Sequence, residues 1–282
     1  MKIAVTGASG FVGRYVLAEL ARQQVEVVAV TRDVTQLSGC GLSVRIVEMD
    51  IAEPGKNCFD LLGRPDVLIH LAWDGLPNYK SLYHFEIELP RQFLFLKAMA
   101  EAGLSSLLVT GTCFEYGMQS GPLSEDLVTI PDNPYGYAKD ALRRQLEFLQ
   151  NVTPFDLTWA RLFYMYGEGQ PKGSLYPQLK DAVLREERVF NMSAGEQLRD
   201  YLPVVEVARA IVFLAGRQGN PGCVNICAGK PVSVRTLVEG WIAENGWEIA
   251  LNLGHYPYPD YEPMAFWGNR DRLDALLNNY IS

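Results

Sequence analysis

Histidine is scarce in this chain, with three in 282 residues, and the five cysteines (40, 58, 113, 223 and 227) show neither paired metal-ligand spacing nor a disulfide framework. A thiolate–imidazole centre would need more donors at usable spacing, so no metal site is expected. Cys223 and Cys227 flank Val-Asn-Ile and read as a buried strand. Basic excess is also lacking. Lys and Arg total 25 against 33 Asp and Glu, a formal charge of −8, which argues against nonspecific binding to nucleic acid or an anionic membrane. A nucleotide ligand stays open, because a few local arginines can hold a pyrophosphate. Apolar runs fall well short of the roughly 20 residues of a membrane span. The apolar start holds Gly and Ser and leads into a helix, unlike a signal peptide. A cytoplasmic protein is expected, sized for one large domain or a large domain with a smaller partner.

What is present begins at the start of the chain. Lys2-Ile3-Ala4-Val5 is a short apolar run, as expected for a parallel strand buried on both faces. Phe11, Val12, Tyr15, Val16 and Leu20 then form an apolar stripe at helical spacing. Between them lies Thr6-Gly7-Ala8-Ser9-Gly10-Phe11-Val12-Gly13. Gly7 permits a tight turn, Gly10 lets the backbone approach a pyrophosphate, and Gly13 lets the helix pack on the sheet. The helix N-terminus adds amide donors and a positive dipole end for phosphate. The segment reads as a dinucleotide cradle.

Strands and helices alternate from there. Strands are expected at Val25–Val30, Val44–Val47, Val67–Leu71, Leu107–Thr110 and Phe155–Leu162. A long helix should run from about Ser81 to Ala102, kinked or interrupted at Pro90. Beyond Gly167 the pattern loosens into proline-rich loops, isolated strands and short helices near 174–187, 204–216 and 233–245. The rhythm is that of an α/β protein, a Rossmann-type doubly wound parallel sheet with a smaller C-terminal α/β substrate lobe. The division expected is residues 1–166 for the dinucleotide domain and 167–282 mainly for the substrate lobe, with some segments returning to the sheet.

The second informative segment is Tyr135-Gly136-Tyr137-Ala138-Lys139, whose Tyr-x-x-x-Lys spacing sets a phenol and an ammonium one helical turn apart. With the cradle, Met49-Asp50-Ile51, His70-Leu71-Ala72, Val109–Gly117, Asn133–Lys139, Arg161–Gly167 and Gln197–Val207, the chain resembles the extended short-chain dehydrogenases/reductases. That group contains nucleotide-sugar epimerases, dehydratases and ketoreductases. The resemblance reaches residue 210, and Val224–Val238 is similar to the family's later strand–helix segment.

The resemblance implies a catalytic set of Thr112, Tyr135 and Lys139, with Thr112 placed four residues before Tyr116-Gly117. A free tyrosine has a pKa of about 10, and the Lys139 ammonium is expected to favour the phenolate and lower that value. Lys139 would also bond the nicotinamide ribose. Coenzyme contacts are expected from Gly7, Ser9, Gly10, Phe11, Val12, Gly13, Thr31, Arg32, Asp50, Ile51, Leu71, Ala72, Thr110, Tyr135, Lys139 and Phe163. NAD enzymes of this kind usually place an acid at the end of the second strand. Here that position is Thr31, followed by Arg32, which suits the 2′-phosphate of NADP; Asp33 nearby keeps NAD possible, and Arg14 could add charge or lie on the surface.

Cys113-Phe114 stands where sugar 4,6-dehydratases carry Asp-Glu, which argues against dehydration. Epimerases that invert beside a carbonyl use a Cys–His or His–Tyr pair, and three histidines leave little room for one. His70 reads as structural; His84 and His255 are possible pocket residues, and Cys113 a small buried side chain. The resemblance then points to NADP-dependent reduction of the C4 keto group of a nucleotide-linked 4-keto-6-deoxyhexose, dTDP-linked, with a tightly NAD-bound nucleotide-sugar 4-epimerase as the alternative. A non-catalytic NADP-binding sensor is the distant third. Substrate contacts would be Trp73, Asn78, Thr112, Tyr164, Arg199 and Arg270, with Tyr79 in the same loop. Arg199 would hold the diphosphate or else pair with Asp200; Arg270 and Arg272 would bind substrate or begin a solvated helix. Relatives often pair the helices near 81–102 and 134–150 into a four-helix-bundle homodimer, and Leu89, Phe93, Leu96, Leu142 and Leu146 would serve that seam or the internal core.

Overall fold

Short runs of alternating, fully apolar residues become the strands of one parallel sheet. In the computed structural model, which describes residues 1–37, 44–55, 57–217 and 219–281 (side chains of 279–281 excepted), seven strands form it. They are β1 (Lys2–Thr6), β2 (Glu26–Thr31), β3 (Arg45–Glu48), β4 (Val67–His70), β5 (Ser106–Thr112), β6 (Asp156–Leu162) and β7 (Gly222–Ile226). Their spatial order is β7-β6-β5-β4-β1-β2-β3, every pairing parallel. The order reverses at β1, so the crevice beyond the carboxyl ends of β1 and β4 is where such a sheet takes its ligand. The expected strands sit within about two residues of these bounds. Cys40 lies outside the described residues.

Side chains alternate across the strands, so each strand feeds two cores. Ile3, Val5, Ile69 and Val224 face one layer with helices α1 (Phe11–Leu20) and Val204–Ala215. Ala4, Leu68, Leu107 and Trp159 face the other, with α2 (Leu89–Glu101) and α3 (Pro134–Gln150). Leu89, Leu96, Leu142 and Leu146 are buried in this intramolecular layer and Phe93 packs against it; Leu94, Tyr137 and Phe148 are the large apolar residues these two helices expose. The long helix is interrupted where proline predicts. A π-helical turn at His84–Glu88 leads into α2, and Pro90 occupies its first turn, where a missing N–H leaves no bond unmade.

Residues beyond 166 serve both regions. Val204–Ala215 packs on α1 and β7 completes the sheet. The helices Leu175–Leu184 and Val234–Asn245, with the paired strands Val189–Asn191 and Ala250–Asn252, enclose their own core around Leu179, Phe190, Val238 and Trp241. Among the described residues, no helix is long and apolar enough to cross a membrane.

Candidate active site

The cradle takes the form its glycines predict. Gly7 adopts φ +66°, and a Cβ there would lie 2.8 Å from the Ala72 nitrogen; one on Gly13 would lie 2.2 Å from the Gly7 carbonyl oxygen. Turn and helix therefore close on each other only without side chains. A cavity of about 350 Å³ opens beside them, lined by Gly7, Ser9, Gly10, Thr31, Arg32, Asp50, Ile51 and Ala72. These residues fit a nicotinamide dinucleotide: bare backbone at the helix N-terminus for the pyrophosphate, and polar groups at the β2 end for a ribose. Phe11 and Gly13 stand outside the lining. Arg14 donates to the Ser9 carbonyl and braces the turn from the exposed side.

The Arg32 guanidinium is already engaged. Its Nη1 and Nη2 donate to the two carboxylate oxygens of Asp74 at 2.6 and 3.0 Å. Both side chains are substantially exposed, 61% and 45%, so the pair contributes only about 0–1 kcal/mol.

A second cavity, about 900 Å³, meets the first at Leu71 and Trp73, which line both. Val12, Asn78, Thr110, Phe163 and Tyr164 line it together with Thr112, Tyr135 and Lys139. Thr112 ends β5 and caps the short helical turn Cys113–Tyr116. Its hydroxyl accepts from the Phe114 N–H, and its own N–H donates to Glu115 Oε1 at 2.8 Å. Glu115 is fully buried and also accepts from Trp159 Nε1 and from Arg161 Nε at 2.6 Å, which fixes the β5 end onto β6. The α3 helix starts at its Asn133 cap, whose side chain accepts from Gly136 N–H. A Cβ on Gly136 would fall 2.6 Å from the Phe114 carbonyl oxygen, so the glycine inside the Tyr-x-x-x-Lys segment lets α3 come close enough to bring Tyr135 to Thr112.

Tyr135 is buried, and desolvation holds its phenol well above the ordinary value despite a hydrogen bond from the Thr112 side. This corrects the expectation that Lys139 lowers it. Lys139 Nζ instead donates to the Thr110 carbonyl at 2.9 Å and lies 4.0 Å from the centre of the Trp73 ring. Burial brings the ammonium down to about 7, with the Glu115 and Glu88 carboxylates opposing that shift. Tyr135 is thus held as a neutral proton donor beside an amine near its titration point.

Three of the expected contacts are displaced. Arg199 does not line the cavity: its guanidinium is buried against Glu262 at 2.8 Å, donates to the Leu198 and Met264 carbonyls, and lies over Phe266. Of this pair, Glu262 is the member that reaches the cavity wall, where Tyr164 donates to it. Asp200, the other partner considered, accepts instead from the Ala228 and Gly229 N–H groups. Arg270 lines a separate cavity, paired with Asp274 and donating to the Cys227 carbonyl. Arg272 pairs with Asp126. Each of these guanidiniums follows a carboxylate within reach. His84 is buried behind the loop: its Nδ1 accepts from Trp73 Nε1 at 3.1 Å and its Nε2 donates to the Asn78 carbonyl at 2.9 Å, while burial lowers its pKa. His255 is exposed beside Tyr256. His70 accepts from Thr6 Oγ1, donates to Gln92, and is driven by burial down to about 3, a neutral structural ring.

Several site residues escaped the sequence. Glu115 carried a readable signal, the Thr-x-x-Glu capping box from Thr112. Tyr261 and Glu262 carried none, since they sit in a loop without periodicity.

Comparison with known proteins agrees with the geometry. The model of the NAD dependent epimerase/dehydratase family matches residues 3–227. A dTDP-6-deoxy-L-talose 4-dehydrogenase (NAD(+)) from Aggregatibacter actinomycetemcomitans is 32% identical over 95% of this chain and 99% of its own length. A dTDP-6-deoxy-L-talose 4-dehydrogenase (NAD(P)(+)) from Kitasatospora kifunensis is 28% identical over 92% of this chain and 83% of its own. The structure of MoeE5 in complex with UDP-glucuronic acid and NAD is 26% identical, with a TM-score of 0.83 over 99% of this chain and 93% of that one.

Proposed function

The chain belongs to the NAD dependent epimerase/dehydratase family, as an NAD(P)-dependent oxidoreductase acting on CH–OH groups, and from that premise we propose that it reduces the C4 keto group of a nucleotide-linked 4-keto-6-deoxyhexose in deoxysugar biosynthesis. The carrier in this reading is dTDP and the coenzyme NADP, with NAD as the alternative. The observation that carries it is the meeting of Thr112, Tyr135 and Lys139 in the larger cavity beside the glycine cradle.

When bound, the reduced nicotinamide supplies the hydride. Thr112 holds the keto oxygen by hydrogen bond, and Tyr135 gives that oxygen its proton. The raised pKa of Tyr135 keeps the proton on the phenol until the oxygen gains charge. Lys139 keeps a positive or proton-exchanging group beside this centre and is placed to bond the ribose. Ser9 and Gly10 receive the pyrophosphate at the helix N-terminus, with Val12 on the side of the larger cavity, Asp50 and Ile51 receive the adenine, and Thr31 and Arg32 its ribose. Leu71, Ala72, Thr110 and Phe163 wall the nicotinamide side, while Trp73, Asn78 and Tyr164 contact the sugar.

Residues 1–166 act in this reading as the dinucleotide domain, and 167–282 mainly as the substrate lobe. A cytoplasmic homodimer fits the same proposal, with exposed Leu94 and Phe148 on the α2 and α3 helices available to a four-helix bundle.

The test mixes purified protein with NADPH or NADH and an enzymatically made dTDP-4-keto-6-deoxyhexose and follows loss of the reduced-nicotinamide absorbance. Rapid loss with formation of the C4 alcohol is expected. No loss with either coenzyme across D and L keto sugars would sink the reading, and interconversion of C4 epimers of a nucleotide hexose without net coenzyme consumption would replace it with the epimerase.

A further inference from the structure

The sequence signal for NADP is a single arginine at the end of β2, yet that arginine does not face the small cavity alone. The charged groups lining it are Arg32, Arg91, Asp50, Asp74 and Glu88, two cations against three carboxylates. Arg32 is held by both oxygens of Asp74. Asp74 is in turn fixed from below: its N–H donates to Glu88 Oε1 at 2.8 Å, and buried Glu88 also accepts from Gln92 Nε2 and Tyr83 Oη. Gln92 continues inward to His70, and His70 to Thr6 at the end of β1. The Asp74 backbone therefore stands on a buried hydrogen-bond network anchored in the sheet, which holds its carboxylate at the cavity rim opposite the more exposed guanidinium of Arg32.

From this we propose that Asp74 is the residue that sets the choice between the two nicotinamide coenzymes, by withholding Arg32 from a 2′-phosphate. The proposal rests on reading this cavity as the adenosine side of a dinucleotide site. A 2′-phosphate must draw the guanidinium off Asp74 and then sit among carboxylates, where like charge opposes it. A free 2′-hydroxyl leaves the ion pair intact and donates to Asp74 as acceptor. The exposed pair is weak enough for a doubly charged phosphate to break, so the native protein takes both coenzymes with little discrimination. Without the Asp74 charge, Arg32 becomes a free phosphate-binding fork.

The test is a direct binding measurement by calorimetry, with NADH and NADPH separately and no sugar present. In the native protein the two dissociation constants should lie within about tenfold of each other. Asp74→Asn should shift their ratio at least tenfold toward NADPH, mostly by tightening NADPH. Arg32→Gln should weaken NADPH selectively, and in the Arg32→Gln/Asp74→Asn protein the shift should vanish, because Asp74 acts through Arg32. If Asp74→Asn binds both coenzymes with an unchanged ratio, or the shift survives without Arg32, the proposal is overturned while the dinucleotide site stands. Native protein that binds neither coenzyme would overturn the reading of the cavity itself, and the proposal with it.

Discussion

The Lys139 ammonium lies 4.0 Å from the centre of the Trp73 indole, so a loop residue from beyond β4 and a helix residue from α3 share one charge. A desolvated cation–π contact of this kind is worth about 2 kcal/mol. Trp73→Leu is expected to lower kcat/KM by up to roughly thirtyfold, since each 1.36 kcal/mol corresponds to about a factor of ten. Coenzyme affinity measured by calorimetry should change by about threefold or less. An unchanged kcat/KM would show that the ring does not act on Lys139.

Tyr135 is the proton donor in the proposed reaction, and its removal tests that role directly. Tyr135→Phe should lower kcat by about 10²–10⁴-fold, the usual contribution of a positioned acid. NADH and NADPH should still bind with native dissociation constants, because the cradle is untouched. Turnover within about threefold of native would end the assignment.

Lys139 gives a pH signature with a definite sign. Its pKa in the folded chain is near 7, below its ordinary unfolded value, so between those values the unfolded state binds more protons. Stability should therefore rise with pH from about 7 to about 10 relative to a Lys139→Met protein, by up to about 1.4 kcal/mol per pH unit. Below that window both states are protonated and the difference should be flat. Urea unfolding of both proteins at stepped pH measures it, and a flat difference across the window would contradict the depressed pKa.

The Glu115–Arg161 pair is buried on both sides, 0% and 1% exposed. Breaking it alone leaves an uncompensated charge, which costs about 3–5 kcal/mol. Glu115→Gln should therefore lower the thermal midpoint strongly and, by loosening the Thr112 backbone, reduce kcat as well. Arg161→Met should be comparably unstable, while the double substitution should be less destabilised than the sum of the two. Additive losses would mean that the two groups do not act as a pair.

The fold and the glycine and Tyr-x-x-x-Lys segments of the candidate site were legible because their signals are local. Gly7 and Gly13 meet across six residues, Tyr135 and Lys139 across one helical turn, and the strands announce themselves as short apolar runs. The same logic explains what was misread. The partner of Arg32 is Asp74, 42 positions away, and the partner of Arg199 is Glu262, 63 positions away, in loops with no periodicity to predict their path. The effect of Lys139 on Tyr135 failed similarly: sequence places the two side chains one turn apart, but burial sets the phenol, and the ammonium turns to Trp73 and Thr110.

The sequence by itself determined the parallel α/β sheet, the glycine turn between β1 and α1 and the one-turn spacing of Tyr135 and Lys139, since backbone freedom and side-chain periodicity are properties of neighbouring residues. Only the tertiary structure decided which charges remain available. Arg199, Arg272 and Arg32 are each taken by a carboxylate that the fold brings in, because electrostatic pairing depends on distance in space and not on separation along the chain.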